Sequence, residues 1–234
     1  MSRRAAQLAF SLRTPCGWGG RRPGAGRKPD PKAGVRHWSR QPFKRLPAHV
    51  TLRMRADVPS LRLVPIVAAI ERTFADGCAR PGFRLVHYSL QGNHAHLIVE
   101  ATDTGALGRG MKAIGARLAR AVNRVAERDG PVLADRYHLR LLPTPKEVRN
   151  ALRYVLLNAR RHAARARRSP GRDVKLDRAS SARWFDGWKR RLPAPDERDR
   201  ATVEQRPPVA RARTWLLTIG WRRHGLLDPA DVPG

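Results

Sequence analysis

The sequence predicts an α+β fold, an antiparallel sheet with two helices on one face. Three observations carry this. Between residues 46 and 162, apolar residues switch between period-two and helical spacing in the order β-α-β-β-α-β, and one more helix follows. The two middle strands flank Gln91-Gly92-Asn93, whose turn chemistry makes them a hairpin. The stretches on either side, 1–45 and 169–234, lack comparable periodicity, so a single main domain of 46–168 is expected. This element order is the split βαβ, or ferredoxin-like, arrangement.

Each element has its own signal. Residues 46–55 alternate around Val50, Leu52 and Met54, as a half-buried strand does. Ser60 is a candidate cap for a helix through Val64, Val67, Ile70 and Phe74 that stops at Gly77. Pro65 suits only the first helical turn, which moves the expected start toward Val64. Residues 83–90 and 94–100 are the second and third strands. Asp103 or Thr104 opens a long helix through Leu107, Met111, Ile114, Leu118, Val122 and Val125, ending near Gly130. A fourth strand is expected over 132–142. Thr144-Pro145 with Glu147 starts the last helix, which carries Val148, Leu152, Val155 and Leu156 toward His162. In this topology the third strand is central, and the last helix is free to cover the open face of the sheet.

Charge narrows the partners. The 234 residues include 48 Lys+Arg against 19 Asp+Glu, a net charge of +29, and a polyanion is the natural neutraliser of such self-repulsion. No apolar run reaches the roughly 20 residues of a spanning helix, so a membrane is not an expected partner. Cys16 and Cys78 are too few for a disulfide framework or a zinc ribbon. A reduced, cytoplasmic setting follows, and the Arg-rich, Ala/Gly/Pro-rich composition points to a bacterial source. The arm of residues 1–45 has Asp30 as its one acid and carries Arg21, Arg22, Arg27 and Lys28 in a Gly/Pro-rich string. Such a string fits a narrow, negative DNA minor groove and equally a solvated linker. The extension of 169–234 holds Trp184, Trp188, Trp215 and Trp221, expected to dock on the main domain rather than stack on bases.

The strongest chemical motif is His94-Ala95-His96. In a strand, positions i and i+2 share a face, so both imidazoles emerge together at a spacing suited to one metal ion. Ala95 and Leu97 face the other way, into the helix-covered core. Taken alone, two histidines on a half-buried sheet face are as readily neutral filler as ligands. A catalytic cation also needs a third protein group. Tyr154 and Asn158 stand four apart on the last predicted helix, one turn from each other. An amide oxygen is a fair ligand for a hard cation, and a phenol beside a metal-bound phosphate is a fair nucleophile.

Together, Gly92-Asn93-His94-Ala95-His96-Leu97, Asp135-Arg136-Tyr137-His138 and Leu152-Arg153-Tyr154-Val155-Leu156-Leu157-Asn158 resemble the single-tyrosine HUH transposases, most closely the REP-associated tyrosine transposase branch. The resemblance covers residues 46–162 in the same element order. It implies Mg2+ or Mn2+ on His94 and His96, with Asn158 as the further ligand and Tyr154 as the nucleophile. The implied activity is metal-dependent cutting and rejoining of DNA through a 5′-phosphotyrosine link. Many relatives follow this Asn with Pro; Ala159 here suggests that the helix continues. The substrate is expected to be single-stranded or hairpin DNA, with Arg117, Arg120, Arg124, Arg149, Arg153, Arg160 and Arg161 as candidate backbone contacts. Two other classes remain: an RRM-like binding platform without catalysis, and a replication- or relaxase-type HUH nuclease. The sequence leaves monomer or homodimer open.

Overall fold

A computed structural model of the chain describes residues 45–166, 176–192 and 206–233. Arg21, Arg22, Arg27 and Lys28 of the basic arm lie outside them. The main elements are β1 (Ala48–Arg53), α1 (Val64–Ala75), β2 (Ala79–Arg80), β3 (Phe83–Leu90), β4 (His94–Ala101), α2 (Thr104–Val125), β5 (His138–Leu141), α3 (Pro145–Leu156) and α4 (Asn158–Arg165). The sheet order is β2-β3-β4-β1-β5, and all four pairings are antiparallel. Without the short β2, this is the split βαβ arrangement, and β4 is central as expected.

Two cores sit on opposite faces of the sheet. Val50, Leu52, Leu85, Ala95, Leu97 and Val99 pack with Ile70 and Phe74 of α1 and Met111, Ile114 and Leu118 of α2. Val86 and Ile98 pack on the other face with Val148, Leu152 and Val155 of α3. The alternation along β4 therefore sends Ala95 and Leu97 to one side and His94, His96 and Ile98 to the other.

The ends of the helices follow local chemistry. α1 starts at Val64 with Pro65 in its first turn, where a missing N–H costs nothing. Ser60 does not cap it; its hydroxyl accepts from the Arg62 N–H at 3.3 Å. The Asp103 carboxylate caps α2 by accepting from Ala106 N–H at 2.7 Å. The helix ends at Val125 rather than near Gly130. The Thr144 hydroxyl accepts from Glu147 N–H and donates to the Glu147 carboxylate, closing the start of α3 from both sides.

Three local expectations change. β2 is a two-residue addition that pairs with β3 around Pro81-Gly82, with Gly82 at φ 72°. The strand expected over 132–142 is in two pieces: Leu133 bridges Met54, and only His138–Leu141 forms a ladder with β1. Exposed Asp135 and Arg136 lie between them outside the ladder, because neither offers apolar surface to hold the strand down. The last helix does not run through: Leu157 leaves helical geometry at φ −111° and ψ 18°, and α4 restarts at Asn158. The interruption needs no proline.

The C-terminal part completes the second core. A 3-10 turn (Ser181–Trp184), α5 (Trp215–Thr218) and a second 3-10 turn (Gly220–His224) bring Ala182, Phe185, Leu217, Trp221 and Leu227 against α3. Glu100, buried on β4, accepts from the backbone N–H groups of Arg213 and Thr214 and from the Thr214 hydroxyl. Trp221 is buried, its indole N–H donating to Leu217 O at 3.1 Å, and Trp188 donates to Ala182 O. Trp215 stays 46% exposed under the Arg223 guanidinium. Trp221→Ala is expected to cost about 3–5 kcal/mol, the usual toll for emptying a buried indole site. Urea denaturation measures it, and a loss under about 1 kcal/mol would mean the segment contributes little to the core.

Candidate active site

On the α3 side of the sheet, three strands present polar side chains in register. His96 stands opposite Thr51 on β1 and Ser89 on β3, while His94 stands opposite Arg53. His49 is two residues from Thr51 along β1 and so shares its face. Nε2 of His94 lies 3.1 Å from Nε2 of His96. Nδ1 of His94 meets Asn93 Oδ1 at 2.9 Å, which suits an Nδ1–H donor and leaves Nε2 with its lone pair. Nδ1 of His96 is 3.1 Å from His49 Nε2 and 3.2 Å from Thr51 Oγ1.

Burial and neighbouring positive charge keep these rings neutral. Burial pushes His96 down to about 3, assisted by His49, His94, His162 and Arg161. Burial, then His138 and Arg140, pushes His49 down to about 4. Burial, with His162 and Arg53, also lowers His94. All three are thus held toward the neutral form, in which each ring offers a lone pair.

Tyr154 reaches the same spot from α3. Its hydroxyl is 3.4 Å from His96 Nε2, and its ring stands edge-on to His96, with centroids 5.0 Å apart. His49 lies against its other side at 5.8 Å. The Arg161 guanidinium of α4 sits 5.0 Å over the ring. Tyr154 is half-buried and lines a cavity of about 470 Å³ together with His49, Arg140, Glu147, Asn150 and Arg153. On the far side of the histidines, Arg62, Gln91, Asn93, His94 and His162 line a second cavity of about 450 Å³.

Two imidazole lone pairs 3.1 Å apart repel unless a proton or a cation lies between them. The donor set fits a cation: both nitrogens are neutral, and each ring is held from its Nδ1 side. Among the described residues no further His, Cys, Asp or Glu completes a metal-binding group. Any third protein ligand there would be of another chemical type. Asn158, first residue of α4, is fully buried, and neither its amide oxygen nor its amide nitrogen has a hydrogen-bond partner among the described residues. A buried primary amide without partners is costly, and a ligand that uses it offsets that cost.

The arginines divide. Arg161 joins the site, and Arg160 lies half-buried beside it in sequence on α4. Arg149 donates to Gly225 O at 2.9 Å, and Arg153 donates to Val232 O at 2.8 Å and pairs with Asp231. These two hold the C-terminal segment instead of standing free for a phosphate. Arg117, Arg120 and Arg124 ride on α2, across the sheet from Tyr154, and Arg117 packs over Gly77. The structure does not bring them to the site. His49 and His162 belong to the cluster and carry no sequence motif. The one signal for His49 is its alternation with Val50 and Leu52, which puts it on the face opposite the core.

No protein-family model matches the sequence, and none of the curated proteins does. Among solved structures, the chain is similar to a REP-associated tyrosine transposase bound to a REP hairpin, at 14% identity and a TM-score of 0.44. That alignment covers 55% of this chain and 74% of the other. The chain is also similar to a structure described as a candidate transposase from Deinococcus radiodurans R1, at 16% identity and a TM-score of 0.35, over 44% of this chain and 84% of the other.

Proposed function

We propose that this chain cuts and rejoins single-stranded or hairpin DNA with Tyr154 as nucleophile and with Mg2+ or Mn2+ held by His94, His96 and the Asn158 amide. The observation that carries the reading is the Tyr154 hydroxyl 3.4 Å from His96 Nε2, which is itself 3.1 Å from His94 Nε2. A nucleophile and a pair of neutral imidazoles converge on one point beside an open cavity. When bound, the cation supplies charge neutralisation at the phosphodiester oxygens.

The chain's own groups account for the rest. Tyr154 Oη forms a bond to phosphorus as the bond to the 3′ oxygen breaks. The phenol gives up its proton and the departing 3′ oxygen acquires one, leaving a 5′-phosphotyrosine and a free 3′-OH. Attack by a 3′-OH on that ester reverses the exchange, so joining needs no ATP. The Arg161 guanidinium over the ring favours negative charge on the phenol as it attacks. Arg140, on the cavity wall, offers a charge for the incoming backbone.

An RRM-like platform needs an open sheet face for bases to stack on. Here α3 and the C-terminal segment cover Val86 and Ile98, which argues against that use. A replication- or relaxase-type nuclease would employ the same residues for another biological end. The described helices include none long and apolar enough to cross a membrane.

The test is incubation with labelled hairpin and single-stranded DNA taken from beside the chain's own gene. A covalent protein–DNA adduct that requires divalent cation is expected; no adduct, or one untouched by EDTA, sinks the proposal. The basic arm should act at the binding step alone. Deleting residues 1–45 is expected to flatten the dependence of log K on log salt by a few units while saturating DNA still gives adduct at the parental rate. An unchanged slope would make the arm a linker without contacts.

A further inference from the structure

We infer that His49 is a positioning residue for the metal centre, accepting the Nδ1–H of His96 and so holding the His96 ring with its Nε2 lone pair toward the cation. The inference rests on the proposed function, because it concerns the same site.

The geometry supports it from three sides. His49 Nε2 is 3.1 Å from His96 Nδ1, and the two rings stand 5.1 Å apart at 43°. An imidazole that binds a cation through Nε2 must carry its proton on Nδ1, and that proton needs an acceptor. Thr51 Oγ1, at 3.2 Å from the same nitrogen, can turn its hydroxyl either way and does not by itself select a tautomer. A neutral His49 whose own proton is on Nδ1 has only acceptor character at Nε2, and in that tautomer it fixes the His96 proton on Nδ1.

His49 also has no other role of comparable weight in the fold. It is on the sheet face away from the α1–α2 core, paired across β1 with Ile98 and Arg140. Its ring instead fills the angle between His96 and Tyr154, at 5.1 Å and 5.8 Å from their centroids. The contacts link ligand, positioning residue and nucleophile in one cluster. Without a cation, the same three rings can be joined by one proton per contact, His49 donating to His96 and His96 to His94. Loading the site therefore reverses the direction of the His49–His96 bond, with no net gain or loss of protons.

The test uses the full chain and Mn2+ as the probe, its free concentration followed by electron paramagnetic resonance. His49→Leu is expected to weaken Mn2+ binding by roughly 10- to 100-fold, the usual range for removing an outer partner of a ligating histidine. His49→Gln, whose amide oxygen can accept at the same place, is expected to recover most of that loss. A His94→Ala control separates the two readings: if wild type fails to bind Mn2+, or His94→Ala binds as well as wild type, the metal assignment fails. If wild type binds, His94→Ala does not, and His49→Leu binds like wild type, the role of His49 fails alone. Nitrogen-15 NMR of the Mg2+-loaded wild type needs no variant to fold. It should show His49 protonated at Nδ1 and bare at Nε2, and a proton on His49 Nε2 in that state overturns the inference.

Discussion

Tyr154→Phe is expected to abolish the covalent adduct while leaving the fold, cation binding and DNA binding in place. The substitution removes one hydroxyl and no ring atom. The edge-on packing against His96 and the stacking under Arg161 persist. The lost contact is a 3.4 Å approach to His96 Nε2, so stability should move by about 1 kcal/mol or less. The rate should fall by at least roughly 10⁴-fold, as loss of a covalent nucleophile does in other enzymes. The remaining tyrosines are poor substitutes. Tyr88 is buried on the α1 side with its hydroxyl donating to Glu71 at 2.6 Å, and burial raises that phenol well above its ordinary range. Tyr137 precedes β5 and packs against the α1–α2 core. Mass spectrometry of the trapped wild-type adduct should place the nucleotide on the peptide containing Tyr154. An adduct on Tyr88 or Tyr137, or parental activity in the Phe variant, refutes the assignment.

On the proposed mechanism, His94→Ala and His96→Ala are each expected to lower cleavage by roughly 10²- to 10⁴-fold, because a cation shared by the two rings would supply several kcal/mol of charge stabilisation. The two should part in stability. His94 is half-buried and, besides His96, meets Asn93 through its Nδ1, so its removal should change stability little. His96 is buried at 5% exposure and meets His49, Thr51, His94 and Tyr154. Its loss leaves His49 Nε2 without that partner and should cost about 1–3 kcal/mol. Cleavage assays with Mn2+ in excess, beside urea curves, read both effects. Parental cleavage by either variant would remove the histidines from the mechanism.

The sequence reveals the core of the fold because two short-range signals agree there. Period-two alternation in β3 and β4 sends His94 and His96 to one face, and Thr144 with Glu147 marks the start of α3. What stays hidden depends on contacts between distant segments. The alternation of β1 shows that His49 faces away from the core, but not that β1 lies beside β4 in the register that brings it to His96. The four-residue spacing from Tyr154 to Asn158 implies a shared face only if the helix is continuous, and the break at Leu157 removes that premise. Arg149 and Arg153 look free because nothing local shows that residues 225–232 return to them. The second core is similarly illegible: Trp221 and Leu227 carry no periodicity of their own and gain meaning only against α3.

That second core sets the smallest unit in which Tyr154 and its surroundings can be transplanted. A fragment ending near residue 166 would keep every strand of the sheet and Tyr154 itself. It would also strip Phe185, Leu217, Trp221 and Leu227 from α3 and leave Arg149 and Arg153 without the carbonyls they hold. The bared apolar stripe of Val148, Leu152, Val155 and Leu156 would retain only the sheet beneath it, an invitation to aggregate. For protein engineering Tyr154 and the helix that bears it are therefore not a portable cassette with a dispensable tail. Any minimised version must carry the Trp221 segment with it.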